Sequence, residues 1–126
     1  MKLLVLASGG GAIGAGIRFL VNRAFAHQGF IEFPWATLTI NISGSFLMGV
    51  LVEVLALRIN ASNELRVFLA TGILGGYTTF SAFSLEFATL YERGEMGAAF
   101  GYVLASVVLS LFAIFAGLWI SRWVLA

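Results

Sequence analysis

The sequence contains no cysteine and only one histidine among its 126 residues. Without cysteine the chain has no disulfide framework, no thiolate metal site and no cysteine nucleophile. It also lacks a phosphate-binding loop, a cluster of metal-ligand residues and a paired nucleophile and base, which argues against an enzyme. The lone His27 lies in a short predicted loop, and we expect no functional role for it.

Charged residues are also scarce. They make up 10% of the chain, whereas hydrophobic residues make up 60% and the mean hydropathy is +1.00. A soluble domain carries about a quarter charged residues, so this chain has too little polar surface to cover a globule in water. The net charge of +1 argues against a nucleic-acid-binding surface. The composition therefore predicts an integral membrane protein surrounded by lipid.

Four long apolar runs predict four transmembrane helices, because a spanning helix needs roughly 20 mostly apolar residues. The runs are continuous and lack the period-two alternation of barrel strands. The predicted spans are residues 3–25, 35–57, 66–91 and 98–124, joined by HQGFIEFP, RINASNEL and ERGEMG. Nothing is left over for a soluble domain, so we predict that residues 1–126 form a single all-α transmembrane domain.

Positive charges are almost evenly divided between the two sides of this arrangement. One side carries Lys2, Arg58, Arg66 and Arg122, and the other carries Arg23, Arg93 and, if it belongs to that end of the first span, Arg18. Orientation follows the excess of lysine and arginine near the span ends, and here the excess is close to zero. Either the chain still inserts one way, or copies insert both ways and pair as an antiparallel homodimer with its site near the bilayer midplane.

The first span is rich in glycine. Gly9, Gly11 and Gly14 match GxGxxG, but the strand–helix context and the acidic residue that a dinucleotide site needs are missing. Gly10 and Gly14 recur at the i, i+4 spacing that lets helices approach closely in lipid, and we favour this packing interpretation. Arg18 either snorkels to the interface or places a positive charge at an aqueous vestibule.

The second span carries an asparagine deep in the predicted bilayer. Thr37, Asn41 and Ser45 fall on one face at i, i+4 spacing. The Asn41 amide offers two N–H donors and a carbonyl acceptor. Two interpretations are open: the amide joins two helices by hydrogen bonds, or it lines a pathway.

The third span contains GGYTTFSAFSLE at residues 75–86. Each of its two adjacent glycines lowers helix propensity by about 1 kcal/mol, and Thr78 and Thr79 can hydrogen-bond local backbone instead. Non-helical backbone at this depth is tolerated only where it is buried in protein or lines water. The pattern predicts a helix broken near its middle, with freed carbonyls that form a cation site.

Hydroxyls and aromatic rings follow the predicted break. Phe80 and Phe83 lie about 60° apart around a helix, beside the hydroxyls of Ser81 and Ser84, and the fourth span adds Tyr102, Ser106 and Ser110 on one face. Packing against lipid or core is the alternative for the two phenylalanines. Hydrogen-bond donors together with ring edges suit an anion that sheds water in a narrow path. The residues themselves predict a small passive anion pathway.

These segments resemble the Fluc/CrcB fluoride channel family over essentially the whole chain. The resemblance is carried by GAIGAGIRF, TLTINISGSFLMG and GGYTTFSAFSLE in the first three spans and by Tyr102, Ser106 and Ser110 in the fourth. It implies a dual-topology antiparallel homodimer in the inner (plasma) membrane. Two pathways in the dimer would carry out passive efflux of toxic fluoride.

The resemblance also implies roles for individual residues. Fluoride contacts are implied for Asn41, Phe80 and Phe83; a polar lining for Ser81, Ser84, Tyr102, Ser106 and Ser110; a vestibule for Arg18 and Thr37; and backbone carbonyls on a central structural Na+ for Gly75 and Thr78. Where the family commonly has threonine, this chain has Ala82. That departure removes a hydroxyl from the implied lining.

Two other kinds of function are considered. A proton-coupled exporter of the small multidrug-resistance type needs a titratable carboxylate in the membrane, and Glu86 is the residue that would serve. A membrane interaction protein would use the same polar residues only to join helices.

The near-zero charge bias leads to a test of orientation. If the chain has dual topology, single cysteines placed at either terminus of this cysteine-free protein will be labelled from both sides of the membrane. Adding lysines to one side should drive most copies into one orientation, because lysine and arginine excess sets topology. A native chain with a single fixed orientation would contradict dual topology.

Overall fold

The computed structural model describes residues 1–29, 32–57 and 61–125. These residues form helices and no strands, with four segments long and apolar enough to span a membrane: Lys2–His27, Trp35–Leu57, Asn63–Glu92 and Met96–Leu125. The prediction of an all-helical protein with four candidate spans is therefore confirmed. Arg58 of the charge count and residues 30, 31, 59 and 60 of the predicted connectors lie outside the described residues. The single-domain assignment stays a prediction.

The second span begins and ends where the sequence predicts, and the other three are slightly longer. The third span begins inside the predicted connector, because the Ser62 hydroxyl accepts the Leu65 N–H at 3.2 Å and so caps a helix that starts at Asn63. The third connector shortens to residues 93–95. Its reversal uses Gly94 at φ 77°, a conformation open to glycine because it has no Cβ.

The third span consists of two helical halves. The first half, residues 63–77, begins as α-helix at Asn63–Arg66, widens into π-helix over Val67–Leu74 and ends in the turn Gly75–Tyr77. Residues 78–80, which we call the interruption, are not helical, and Thr78 is extended with φ −80° and ψ 159°. The second half is the α-helix Ser81–Glu92. π-Helical turns are rare and are found mainly at functional sites.

Glycines allow the first helix to pack directly on the first half of the third span. A Cβ at Gly10 would lie 2.9 Å from the Cα of Gly72, and a Cβ at Gly14 would lie 2.7 Å from the Tyr77 nitrogen. Such distances leave no room for a side chain, so the two backbones are in contact. This contact confirms the packing interpretation of Gly10 and Gly14, with Gly72 as a partner on the facing helix.

The second and fourth helices form the other closely packed pair. A Cβ at Gly49 would lie 2.9 Å from the Leu118 nitrogen, and one at Gly117 would lie 2.9 Å from the Val50 nitrogen. The second half of the third span packs on this pair. The buried core at that junction consists of Leu38, Phe83, Leu90, Ala99 and Tyr102.

Gly14→Ala and Gly16→Ala form a matched test of the first helix contact. A Cβ at Gly16 has no atom within 4 Å, so alanine there should raise stability by up to about 1 kcal/mol through helix propensity. At Gly14 the new methyl meets backbone, and we expect a loss of about 1–3 kcal/mol from overpacking. Thermal unfolding of both variants in detergent checks the difference. Equal stability of the two variants would contradict the close contact.

Candidate functional site

Asn41 binds the backbone at the interruption of the third span. Its Oδ1 accepts the Thr79 N–H at 2.9 Å, and its Nδ2 donates to the Thr79 carbonyl at 3.0 Å. Both backbone polar groups of a non-helical residue are therefore paired by one side chain. Within a membrane an unpaired backbone group costs several kcal/mol, so Asn41 removes most of the cost of leaving the helix.

The two threonines of the interruption complete the local pairing. The Thr78 hydroxyl donates to the Leu74 carbonyl at 3.1 Å and so remains attached to the first half. The Thr79 hydroxyl accepts the Ala82 N–H at 3.1 Å and caps the second half. Among the described residues, no hydrogen bond to the carbonyls of Gly75 or Thr78 is seen. Those two oxygens, like the Tyr77 carbonyl between them, are available as backbone acceptors.

A cavity of about 490 Å³ lies between the second helix, the interruption and the fourth helix. It brings together several predicted site residues from three segments of the chain, and none of these residues is charged. Its lining consists of Asn41, Gly44, Ser45, Met48, Gly75, Thr78, Thr79, Phe80, Phe83, Ser106, Val107, Ser110 and Ile114.

Ser106 and Ser110 contribute the hydroxyls of the fourth helix. Both Oγ atoms are buried and have no hydrogen-bond partner among the described residues. Serine in a helix ordinarily donates to the carbonyl four residues earlier, and neither side chain does so here. A buried hydroxyl without a partner costs about 1–3 kcal/mol. These two hydroxyls therefore offer a pair of donors to whatever occupies the cavity.

Phe80 and Phe83 supply the aromatic part of the lining. Their ring centroids are 5.4 Å apart and the rings are tilted by 50°. Phe83 is buried and also contacts the Tyr102 ring at 5.2 Å, whereas Phe80 is 75% exposed. One ring is thus fixed inside the protein and the other faces outward from the chain. Aromatic rings carry a positive edge, so both can contribute favourable contacts to an anion.

Three residues that the resemblance places in the polar lining lie outside this cavity. The Ser84 hydroxyl donates to the Phe80 carbonyl of its own helix at 3.0 Å. Ser81 is exposed, with its Oγ 3.5 Å from the Thr79 hydroxyl. Tyr102 is fully buried and donates to Glu86 Oε1 at 3.2 Å. Their assignment to the lining stays a prediction.

Of the two implied vestibule residues, Arg18 has a hydrogen-bond partner and Thr37 is buried in the protein. Arg18 Nε donates to the Gly76 carbonyl at 3.1 Å, near the C-terminal end of the first half, where positive charge is favourable. Thr37 is 1% exposed. Arg18 therefore does more than snorkel, because its guanidinium contacts the carbonyl that follows Gly75. The vestibule assignment itself stays a prediction.

Three contacts around the site have no counterpart in the sequence analysis. Glu86 and Tyr102 are 16 positions apart, and Gly94 lies midway between them. A helical hairpin predicted to turn at Gly94 would have placed these two residues opposite each other. The Ser43–Tyr77 hydrogen bond, at 2.9 Å, has no such signal. Glu53 and Arg122 form an ion pair between the second and fourth helices.

Four apolar spans, three of which line a cavity with hydrogen-bond donors and with no charge on its described lining residues, define a membrane protein of the channel and transporter class. The family to which the chain belongs is CrcB. The family model described as "CrcB-like protein, Camphor Resistance (CrcB)" matches residues 5–118, which is most of the chain.

Curated relatives cover nearly the whole sequence. The "Fluoride-specific ion channel FluC" of Chelativorans sp. (strain BNC1) is 55% identical, over 99% of this chain and 100% of the relative. Proteins of the same name from Mesorhizobium japonicum and Agrobacterium fabrum are 56% and 52% identical, each over 94% of this chain and 95% of the relative. The fluoride-channel resemblance noted from the motifs is confirmed at the level of the family.

Asn41→Ala should lower stability, whereas Ser106→Ala should not. Alanine at position 41 leaves the Thr79 N–H and carbonyl unpaired, at about 1–3 kcal/mol for each buried group. Alanine at position 106 removes a buried hydroxyl that has no protein partner, so stability should be unchanged or slightly higher. Thermal unfolding in fluoride-free detergent solution measures both. A loss in Ser106→Ala as large as that in Asn41→Ala would contradict the described hydrogen bonding.

Proposed function

We propose that this protein is a fluoride-selective channel that lets toxic fluoride leave the cell passively across the inner membrane. Relatives that are 52–56% identical over nearly the whole chain are each named a fluoride-specific ion channel. The structural observation that carries the proposal is the uncharged cavity in which the unpartnered hydroxyls of Ser106 and Ser110 share a wall with Phe80 and Phe83. It is a channel and not an enzyme.

The cavity lining matches the needs of a small, strongly hydrated anion. Such an ion enters a narrow path only where donors replace its water shell. Ser106 and Ser110 offer two hydroxyls, and Asn41 has a second N–H beyond the one given to Thr79. The edges of Phe80 and Phe83 add positive potential without a hydrogen bond. No carboxylate is among the lining residues that the structure describes, so the wall does not repel an anion.

The interruption of the third transmembrane helix is proposed to serve the function directly. It brings Phe80 to the cavity and lets Asn41 contribute to two tasks, because one amide both pairs Thr79 and lines the wall. Broken helices are typical of membrane proteins whose ion sites lie near the midplane.

An antiparallel homodimer with two pathways is the assembly that we propose. Phe80 is 75% exposed, and Ser81 and Ser84 are also exposed, so in one chain this side of the site faces outward. A second chain of opposite orientation would cover it and turn Ser81 and Ser84 into lining residues. Tyr102, which donates to Glu86, would stand at one end of such a pathway, and Arg18 would lie near its vestibule.

A structural Na+ on the two-fold axis is part of the same proposal. Hard cations of this kind bind oxygen ligands, including backbone carbonyls. The carbonyls of Gly75 and Thr78 fit this chemistry, because they accept no hydrogen bond within the part of the chain that the structure describes. Two oxygens from each of two chains would surround the ion. Na+ would supply positive charge close to the pathways.

A proton-coupled exporter of the small multidrug-resistance type is not favoured. Glu86 is the carboxylate that such coupling would require, and it does not line the main cavity but accepts a hydrogen bond from Tyr102. The relatives are also named ion channels rather than exporters.

Fluoride flux from liposomes, followed with a fluoride electrode, tests the proposed function. The parent protein should release fluoride rapidly under a voltage set with K+ and valinomycin, and a pH gradient should not change the rate. Phe80→Ile should slow release by roughly tenfold, the effect of about 1.4 kcal/mol on the barrier, because the ring edge is lost.

Phe112→Ile is the matched control, because Phe112 is 69% exposed and is not part of the cavity lining. Its flux should stay within about twofold of the parent. Strict dependence on a proton gradient would support the exporter instead. Absence of flux in the parent would support a membrane interaction protein and overturn the proposal.

A further inference from the structure

Tyr77 is the last residue before the interruption. Its hydroxyl is hydrogen-bonded to the second helix. Ser43 Oγ lies 2.9 Å from the Tyr77 hydroxyl and also donates to the Ile40 carbonyl at 3.2 Å. One of these two hydroxyls donates to the other. Either Tyr77→Phe or Ser43→Ala therefore breaks the same hydrogen bond.

The residue after Tyr77 is seated on the same helix. Gly44 has no side chain, and the Thr78 methyl and the edge of the Tyr77 ring occupy the space where a Cβ would be; that Cβ would lie 3.2 Å from Tyr77 Cδ2. Asn41 then pairs both backbone groups of Thr79. Three consecutive residues, 77 to 79, are thus held by the second helix through one hydroxyl, one glycine and one amide.

These contacts bear on the backbone carbonyls beside them. Thr78 is extended, with ψ 159°, and a change in ψ at this residue rotates its carbonyl. The Thr78 carbonyl shares a peptide unit with the Thr79 N–H, which Asn41 binds. The preceding peptide carries the Thr78 N–H, which donates to the Leu74 carbonyl at 3.1 Å, and it follows the residue whose hydroxyl is bound to Ser43. With the Tyr77 hydroxyl released, the end of the first half would keep the Thr78 N–H and hydroxyl bonds to the Leu74 carbonyl, the Arg18 bond to the Gly76 carbonyl and the packing on Gly44, but would lose its hydrogen bond to the second helix.

We propose that Ser43 and Tyr77 are positioning residues for the cation site, and that their hydrogen bond, together with the Asn41 bond to the Thr79 N–H, holds the Thr78 carbonyl in place and so contributes to the affinity for Na+. This inference rests on the proposed function, in which Gly75 and Thr78 carbonyls hold Na+. It concerns residues whose own side chains do not line the main cavity. Loss of the Ser43–Tyr77 bond should change the Na+ concentration needed to fill the site and leave the fluoride-contacting groups in place.

A Na+ titration of heat stability measures this without relying on transport. An ion that binds only the folded protein stabilises it more as the ion concentration rises, and the half-saturating concentration reports the affinity. We expect Tyr77→Phe and Ser43→Ala each to raise the half-saturating Na+ concentration about fivefold, the effect of one hydrogen bond. The double variant should show the same fivefold shift, because both changes remove one bond. N-methylglucamine replaces Na+ at constant ionic strength.

Tyr91→Phe is the matched control. It removes the same atom from a tyrosine that is 47% exposed and whose ring packs on Phe87, and its Na+ titration should match that of the parent. Ser43→Thr keeps a hydroxyl and should restore an affinity close to that of the parent.

The outcomes separate this inference from the function on which it rests. An unchanged half-saturating Na+ concentration in Tyr77→Phe, or shifts that add in the double variant, would overturn the positioning role while fluoride flux in liposomes stands. A parent protein whose stability ignores Na+ would overturn it as well, again without touching the flux result. At saturating Na+, Tyr77→Phe should conduct fluoride at the parental rate, and a defect that Na+ does not restore would also overturn the role.

Discussion

In hydrocarbon the N–H and carbonyl of Thr79 have no water to bind, and the Asn41 amide supplies a partner for each. The other features of the site depend on this pairing. With it, the chain can leave the helix at residues 78–80 and resume at Ser81. The departure brings Phe80 to the cavity wall and leaves the carbonyls of Gly75 and Thr78 available. An asparagine is suited to the role because one planar group both donates and accepts.

Glycines make this arrangement possible at short range. The first helix contacts the first half of the third span through Gly10, Gly14 and Gly72, and the second helix receives Thr78 at Gly44. Lipid offers no hydrophobic driving force for helix association, so the helices associate through close backbone packing. Polar groups are consequently concentrated where helices meet, and the apolar side chains of the outer faces remain exposed to lipid.

Composition and hydropathy were sufficient to predict four spans, because each must supply an apolar surface of fixed length to the bilayer. The span ends were less predictable. The start at Asn63 depends on a cap by Ser62, and the short third turn depends on the positive φ of Gly94. Both are local hydrogen-bonding or backbone features that hydropathy does not record.

The sequence by itself determined the membrane class, the family and the types of group available, namely amide and hydroxyl donors and aromatic rings. Tertiary structure decided which of them meet. Ser106 and Ser110 are left without partners beside Phe83, whereas Ser84 turns to its own backbone and Tyr102 to Glu86. The reason is that a polar side chain can pair only with the groups that the packed structure places within its reach. The pairs Tyr102–Glu86 and Asn41–Thr79 are 16 and 38 positions apart in the chain, so their members become neighbours only when the helices pack.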